Sequence, residues 1–231
     1  MKKLNQLETK LGIKFKNQSF LSQALVHRSY LNEAPNKGLE SNERLEFLGD
    51  AILEFIVSRW LFEELPEYPE GDLTNLRSNL VKTDSLAKIS QKLEVGKYLL
   101  LSRGEKASDG QKNPSLLANA LEAIIGAVFL DQGVETAKKF VRANLKPLFK
   151  QLLEQGEFKD YKSLLQEKIQ AKTKKSPAYR VIREQGLEHV KTFTIGVYSQ
   201  NRLLATGKGK SKQAAEQKAA KLALDCLTLN R

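Results

Sequence analysis

Apolar side chains in residues 1 to about 150 recur at intervals of three and four positions, which is the spacing of amphipathic helices. Polar segments that contain glycine and proline interrupt this pattern where turns are expected: EAPNKG, LPEYPEGD and ASDGQKNPS. The strict alternation that marks a strand is not evident in this part of the sequence. We therefore predict an all-α N-terminal domain over residues 1–150.

The pattern changes in the last third of the chain. A helical segment, three alternating segments and a second helical segment follow one another at 161–172, 178–184, 191–199, 202–207 and 210–227. The dipeptide QN between the second and third alternating segments predicts a hairpin turn. We therefore predict a small α+β domain of order α-β-β-β-α over residues 160–228, joined to the first domain by a linker at 151–159.

The segment ERLEFLGDAILEF (43–55) has four carboxylates on one side of its predicted helix. At about 100° per residue, one arc holds Glu43, Glu46, Asp50 and Glu54. The opposite arc is apolar and is expected to face the core with Leu45, Leu48, Ile52, Phe55 and Ile56. A solvated face explains the acidic arc, but Phe47 lies on the same side. A large aromatic among carboxylates indicates a covered surface, either an intramolecular contact or a subunit interface.

A second predicted helix, SLLANALEAIIGAVFLDQG (115–133), has matching chemistry. Asn119 and Glu122 are three positions apart and share a face. If the two helices pack side by side, this pair converges with Glu46 and Asp50. Clustered carboxylates repel one another unless a cation lies between them, and oxygen ligands favour Mg²⁺ or Mn²⁺ over zinc or copper. These four residues are therefore the candidate metal ligands.

Positive charge is concentrated in the last third of the chain. The whole sequence has 38 Lys and Arg against 27 Asp and Glu, a net charge of +11. Residues 160–231 contribute 15 basic and 6 acidic residues, a net charge of +9. This balance predicts a polyanionic partner, with nucleic acid favoured over a membrane surface, although a basic surface can also serve solubility alone.

The numbers of cysteines and histidines limit which cellular compartment and which kinds of metal site are expected. With Cys226 as its only cysteine, the sequence forms no intramolecular disulfide, which is typical of a reducing compartment. Its two histidines make a histidine-rich zinc site implausible. The N-terminus lacks the apolar core of a secretion signal, and we expect no segment that spans a bilayer. We therefore expect a soluble, cytoplasmic protein.

Several segments together resemble bacterial ribonuclease III, in that family's order and spacing. The first five are ALVHRSY (24–30), NERLEFLGDAIL (42–53), EGDLTNLRSNLV (70–81), GEKASDG (104–110) and LLANALEAIIGAVFLDQG (116–133). The last third, which ends in GKGKSKQAAEQKAA (207–220), resembles a double-stranded RNA-binding domain. The resemblance covers essentially the whole chain.

The resemblance implies a homodimeric endoribonuclease that needs Mg²⁺ but no small-molecule cofactor. It implies cleavage of each strand of an RNA duplex to a 5′-phosphate and a short 3′ overhang, in precursors of ribosomal and messenger RNA. By motif, Glu46, Asp50, Asn119 and Glu122 match the metal cluster, and the catalytic residues are expected to be Asp50, Glu122, Glu43 and Glu70. Phe47 matches an aromatic residue that enters the partner subunit, whereas Glu54 matches no catalytic position.

Basic and polar residues of the last third are the candidate RNA contacts. Lys208, Lys210 and Lys212 cluster before the closing helix, where free backbone N–H groups favour phosphate, and the resemblance implies that they bind RNA phosphates. It also assigns minor-groove contacts to Gln166, Glu167 and His189, although His189 can equally be an ordinary exposed loop residue. Gln213 replaces a lysine found in many relatives. His27 and Arg28 belong to a recognisable motif that suggests no catalytic role, and we expect His27 to be a hydrogen-bonded structural histidine.

Asn119 is the departure that bears on activity, since most bacterial relatives have aspartate there. The amide is a tolerated neutral ligand, or it inactivates the site, or the other three carboxylates suffice with water and phosphate oxygens. We favour an active enzyme because the other acidic positions are intact. The alternative is a duplex-RNA-binding protein with weak or no cleavage.

Overall fold

The computed structural model describes residues 2–33, 38–156, 158–186 and 191–229. The chain divides into two compact units, Met1–Phe158 and Lys159–Arg231. Helices of the first unit are α1 (Lys2–Leu11), α2 (Gln18–Ala24), α3 (Arg28–Glu33), α4 (Glu43–Glu64), α5 (Glu70–Val81), α6 (Thr83–Lys92), α7 (Arg103–Ala107), α8 (Pro114–Gln132) and α9 (Val134–Gln155). Short 3₁₀ turns lie at Val95–Tyr98 and Gly110–Lys112. The prediction of a helical first domain is confirmed.

Helices α4 and α8 cross at the centre of the first unit, and two glycines bring their backbones into contact. A Cβ atom at Gly49 would overlap the carbonyl oxygen of Glu122, and one at Gly126 would overlap the carbonyl oxygen of Leu45. No side chain larger than hydrogen fits at either position. The crossing therefore fixes the polar residues of α4 and α8 beside one another.

The core-facing arc of α4 differs from the predicted one. Its buried residues are Leu45, Gly49, Leu53, Ile56, Val57, Trp60 and Leu61. Phe55, predicted in the core, is 51% exposed, and Leu48 is only partly buried. Leu45 and Ile56 are buried as predicted. The helix has apolar residues on two sides, and hydrophobic periodicity alone placed the core-facing arc partly on the exposed side. Exposed aromatics lie along the second side at Phe47, Phe55 and Phe62.

The second unit is a three-stranded antiparallel sheet of order β1-β2-β3 covered by two helices. Its elements are α10 (Tyr161–Thr173), β1 (Ala178–Gln185), β2 (Thr192–Ser199), β3 (Arg202–Gly209) and α11 (Lys212–Leu229). Gln200 and Asn201, both with positive φ, form the predicted hairpin turn. Leu165 and Ile169 of α10 pack with Val197 and with alanines of α11. The predicted α-β-β-β-α order is confirmed.

The segment predicted as a linker, 151–159, is mostly part of the first unit. Helix α9 continues to Gln155, and Gly156 ends it with a φ of 63°. Leu152 and Phe158 are buried in the first core. The glycine and the polar residues in this segment suggested a linker, but Leu152, Leu153 and Phe158 are held by tertiary contacts with the first core.

Helix α8 corrects the expectation that the sequence has no possible membrane span. By length and composition alone, Pro114–Gln132 is long and apolar enough to cross a membrane. Within the protein, 56% of its most apolar stretch is buried, and α8 packs against α2, α4 and α6. The central helix of a folded core has the same length and composition.

The glycine crossing yields a stability prediction. Replacing Gly49 with alanine forces the backbones of α4 and α8 apart and lowers the free energy of unfolding by about 1–3 kcal/mol or more. Gly71→Ala is the matched control, because a Cβ atom there meets nothing within 4 Å. It stabilises α5 by about 0.5–1 kcal/mol. Urea unfolding compares the two variants, and equal stability would show that the crossing tolerates a larger residue.

Candidate active site and RNA interface

An open pocket of about 580 Å³ lies in the first unit between α4, α8 and the start of α3. Its lining is mostly polar: His27, Arg28, Asn42, Glu43, Glu46, Phe47, Asp50, Leu99, Leu116, Asn119 and Glu122. Every predicted metal ligand lines this pocket, and so does Glu43. The helix crossing thus brings together residues that are about 70 positions apart in the sequence.

Negative charge is unfavourable at the inner end of this pocket. Burial raises the pKa of Glu122 to about 7, and the nearby carboxylates of Asp50 and Glu46 add to the rise. Burial also raises the pKa of Glu46, with Glu43 and Asp50 acting in the same direction. A hydrogen bond from the Asn119 side chain partly opposes the rise at Glu46. The pocket therefore favours a proton or another cation.

The donor set fits a hard divalent cation. Carboxylate oxygens of Glu46, Asp50 and Glu122 and the amide oxygen of Asn119 are the ligand type that Mg²⁺ and Mn²⁺ prefer. Across the described residues, no group of three or more His, Cys, Asp or Glu side chains stands in an arrangement that could hold a metal ion. The raised pKa of Glu122 shows that these carboxylates nevertheless interact, and a cation between them would relieve their repulsion.

The other two predicted catalytic acids, Glu43 and Glu70, have different surroundings. Glu43 lies in the first turn of α4, where it accepts a hydrogen bond from Ser41 at 2.9 Å. Glu70 is not part of the carboxylate pocket; it lies beside Phe55 and Phe62 and accepts a hydrogen bond from Thr74 at 2.8 Å. Its expected place at the cleavage centre is therefore not seen within one chain, because α5 begins on the exposed aromatic side of α4.

Glu54, expected to be a solvated carboxylate, is instead partly buried and forms an ion pair with Arg77 at 3.0 Å. This pair joins α4 to α5. On the helix wheel, Glu54 lies on the same side as the pocket carboxylates. Along α4 it lies about one turn or more beyond them, outside the pocket.

His27 and Arg28 line the pocket, although the sequence suggested no catalytic role for either. The Nδ1 atom of His27 lies 2.8 Å from the hydroxyl of Ser29, and the Arg28 guanidinium lies 3.5 Å from Glu43. Neither residue belongs to a long periodic helix, so no helical pattern could place them next to α4. Their proximity to the carboxylates depends on how α2 and α3 fold back.

The predicted RNA contacts of the second unit lie on more than one surface. Gln166 and Glu167 are exposed on α10, and Lys210 is exposed between β3 and α11. Lys212 starts α11, where its ammonium lies 3.5 Å from Glu184. His189 lies outside the described residues.

Lys208 does not share the surface at the start of α11. It lies in β3 and pairs with Thr194, whereas its neighbours Gly207 and Gly209 both face Ala215 of α11. Successive residues of a strand face opposite sides, so Lys208 is directed to the open face of the sheet. Closeness in sequence suggested one lysine cluster, and the strand separates its first member.

Two protein families match the two units. The ribonuclease-III-like family matches residues 17–148, and the double-stranded RNA binding motif matches residues 161–227. Ribonuclease 3 of Pelotomaculum thermopropionicum is 45% identical over 222 residues, covering 96% of this chain and 92% of its own. Ribonuclease 3 of a Roseiflexus species is 44% identical over 228 residues, covering 98% of this chain and 96% of its own.

Solved structures agree with these relatives. The nuclease domain of ribonuclease III from Campylobacter jejuni is 42% identical with a TM-score of 0.59, and the match covers 64% of this chain and 97% of that domain. A second structure of that domain, 41% identical with a TM-score of 0.58, concerns structural flexibility in a region involved in dimer formation. It covers 62% of this chain and 96% of the domain.

The raised pKa of Glu122 predicts a pH-dependent stability. Folding favours the protonated carboxyl, so its contribution is greatest below the unfolded pKa of 4.5 and is lost as pH rises towards 7. In EDTA, Glu122→Gln should therefore melt at a higher temperature than the unsubstituted protein at pH 8, and the difference should vanish near pH 4.5. The exposed Glu67→Gln variant is the control and should show no such trend. A difference independent of pH would contradict the prediction.

Proposed function

We propose that this chain, which belongs to the ribonuclease III family, uses Mg²⁺ to cut duplex RNA at the pocket between α4 and α8. The chain is a double-strand-specific endoribonuclease, and its family depends on a divalent metal. The observation that carries the choice of site is the convergence of Glu46, Asp50 and Glu122 with Asn119. Mn²⁺ has the same ligand preferences and is expected to substitute.

Four residues of the pocket have a proposed part in binding the ion. Glu46, Asp50 and Glu122 would hold it through carboxylate oxygens, and Asn119 would add a neutral amide oxygen. A divalent ion bound there supplies positive charge to the scissile phosphate and favours ionisation of the attacking water. Glu43 extends the acidic lining of the pocket. Its part in catalysis, like that of Glu70, remains a prediction from the family motifs.

The presence of Asn119 does not lead us to favour a protein that binds duplex RNA without cutting it. Its side chain already forms a hydrogen bond with Glu46, so it is integrated into the carboxylate group. The three carboxylates present would offset the charge of one divalent ion. Relatives that are 45% and 44% identical over nearly the whole chain are ribonucleases. We therefore propose that the amide is a tolerated ligand.

The second unit binds double-stranded RNA and concentrates substrate at the nuclease unit. The net charge of +9 over residues 160–231 suits a phosphate-dominated interaction that is sensitive to salt. We propose that the cut leaves a 5′-phosphate, a 3′-hydroxyl and a short 3′ overhang, and that the substrates are structured ribosomal and messenger RNA precursors. We place this work in the cytoplasm, with no membrane partner and no small-molecule cofactor.

We also propose that the protein acts as a homodimer through the exposed aromatic side of α4. Phe47 is 80% exposed, Phe62 is 74% exposed, and Phe55 lies between them. Next to Phe47, an apolar pocket of about 590 Å³ is lined by Leu45, Leu48 and Leu130 among others. A two-fold axis would let each copy place Phe47 against the other and cover this surface.

Cleavage of a long perfect RNA duplex tests the proposed reaction. With Mg²⁺ the chain should cut both strands, and with EDTA it should not. Glu122→Gln should lower the cleavage rate by at least about 100-fold, because it removes a ligand charge at the metal, while duplex affinity in EDTA changes little. Asn119→Asp is the matched variant that adds a charge. If only Asn119→Asp cuts, the unsubstituted chain binds duplex RNA without processing it.

Oligomeric state tests the proposed dimer surface. Phe47→Asp places a charge in the covered interface and should give a monomer in light scattering at a concentration where the unsubstituted chain is a dimer. Leu222→Asp is the control, because Leu222 is a partly exposed apolar residue of the second unit. A dimer that survives the Phe47 substitution would remove this residue from the interface.

A further inference from the structure

Arg28 begins α3 and lines the pocket that holds the carboxylates. Among the described residues lining this pocket, it is the only Lys or Arg. Its side chain is 74% exposed, so the guanidinium remains accessible to a ligand. A single exposed arginine beside four carboxylates indicates a site for something negatively charged that the carboxylates alone would repel.

The backbone around Arg28 is held on both sides. Val26 forms a bridge with Leu100, and the backbone N–H of His27 donates to the Leu100 carbonyl at 3.1 Å. Ser29 accepts a hydrogen bond from the backbone of Ser102 at 3.1 Å. Arg28 therefore projects from a fixed support rather than from a loose loop.

A buried asparagine ties the same support to the catalytic helix. Asn42, which precedes α4 and is only 4% exposed, donates its backbone N–H to the Val26 carbonyl at 2.8 Å. Its side-chain amide reaches the Ala24 carbonyl at 3.4 Å. The start of α4 and the segment that leads to Arg28 thus keep a constant separation, which is the requirement for a preorganised substrate contact.

Glu43 is the counterion of Arg28, but it uses little of the guanidinium. The ion pair is long, at 3.5 Å, and both side chains are more than half exposed. Exposed pairs of this kind contribute little to stability. A guanidinium has five N–H donors in a planar fork that matches phosphate oxygens. With Glu43 as its ion-pair partner among the described residues, Arg28 keeps donors for a phosphate.

We infer that Arg28 donates to a non-bridging oxygen of an RNA phosphate adjacent to the scissile bond, and that Glu43 holds it in position when no RNA is bound. This inference rests on the proposed function. The scissile phosphate belongs beside Glu46, Asp50 and Glu122, which would hold the cation. Arg28 is paired with Glu43 instead, which lies about one helical turn before Glu46, so the neighbouring phosphate is the one within its reach.

Single-turnover cleavage, with the enzyme in excess of the RNA and above the Kd, separates this role from general RNA affinity. Arg28→Gln should slow cleavage by about 10- to 100-fold, the loss expected for a charge-assisted hydrogen bond, and Arg28→Lys should recover part of the rate. Affinity in EDTA should change little. The control is Lys97→Gln, which removes a similarly exposed cation from a 2.9 Å ion pair with Glu94 outside the pocket.

The outcomes distinguish this inference from the proposed function. If the unsubstituted chain does not cut, the proposed function fails and the inference fails with it. If the unsubstituted chain cuts and Arg28→Gln cuts equally fast, only the inference is overturned. Thermal melting of each variant shows whether a slower rate reflects lost folding, and a loss of rate that follows a lost fold counts against a direct contact.

Neutral phosphates then test the contact itself. Hairpin RNAs carry one methylphosphonate at each phosphate flanking the cut, in separate molecules. At the position that Arg28 binds, the neutral group should slow the unsubstituted chain about as much as Arg28→Gln does, and should slow that variant little further. Losses that multiply at every position would show that Arg28 acts only by offsetting the carboxylates, which overturns the inference.

Discussion

The close approach of α4 and α8 is the constraint on which the nuclease unit depends. Gly49 faces the carbonyl of Glu122, and Gly126 faces the carbonyl of Leu45, so the two backbones touch without intervening side chains. Hydrophobic burial on both sides drives the helices together, because the core around this crossing consists almost entirely of aliphatic residues. The polar residues at the edge of the crossing are then forced into one pocket, whatever their mutual repulsion.

The repulsion between these carboxylates makes the pocket favour a bound cation. Glu122 is half-buried beside two other carboxylates, and its pKa is raised to about 7. The folded protein therefore maintains an arrangement that is electrostatically unfavourable until a proton or cation enters. A basic protein can use an acidic pocket for phosphate chemistry in this way, since a bound divalent ion reverses the local charge while the second unit supplies the long-range attraction for RNA.

Helix α4 has three sides in different environments, and the residue types on each side match its environment. One side is buried against α8, the next is acidic and lines the pocket, and the third carries exposed phenylalanines. Such a helix is apolar on two sides, which a monomeric surface helix would not need. The pocket carboxylates of α4 consequently lie next to the surface proposed to contact a second copy, so the proposed reaction site and the proposed interface share one element.

The sequence by itself determined the helical first domain, the order of the second, and the two pairs Glu46–Asp50 and Asn119–Glu122, because these depend on local periodicity and on spacing within single helices. The packing of α4 on α8 then brings the two pairs together. The tertiary structure alone decided which apolar arc of α4 is buried, since periodicity cannot rank two apolar sides of one helix. It also decided that Glu70 lies apart from the pocket and that Arg28 lies within it. Distances between residues far apart in the chain depend on how elements pack, and no local pattern contains that information.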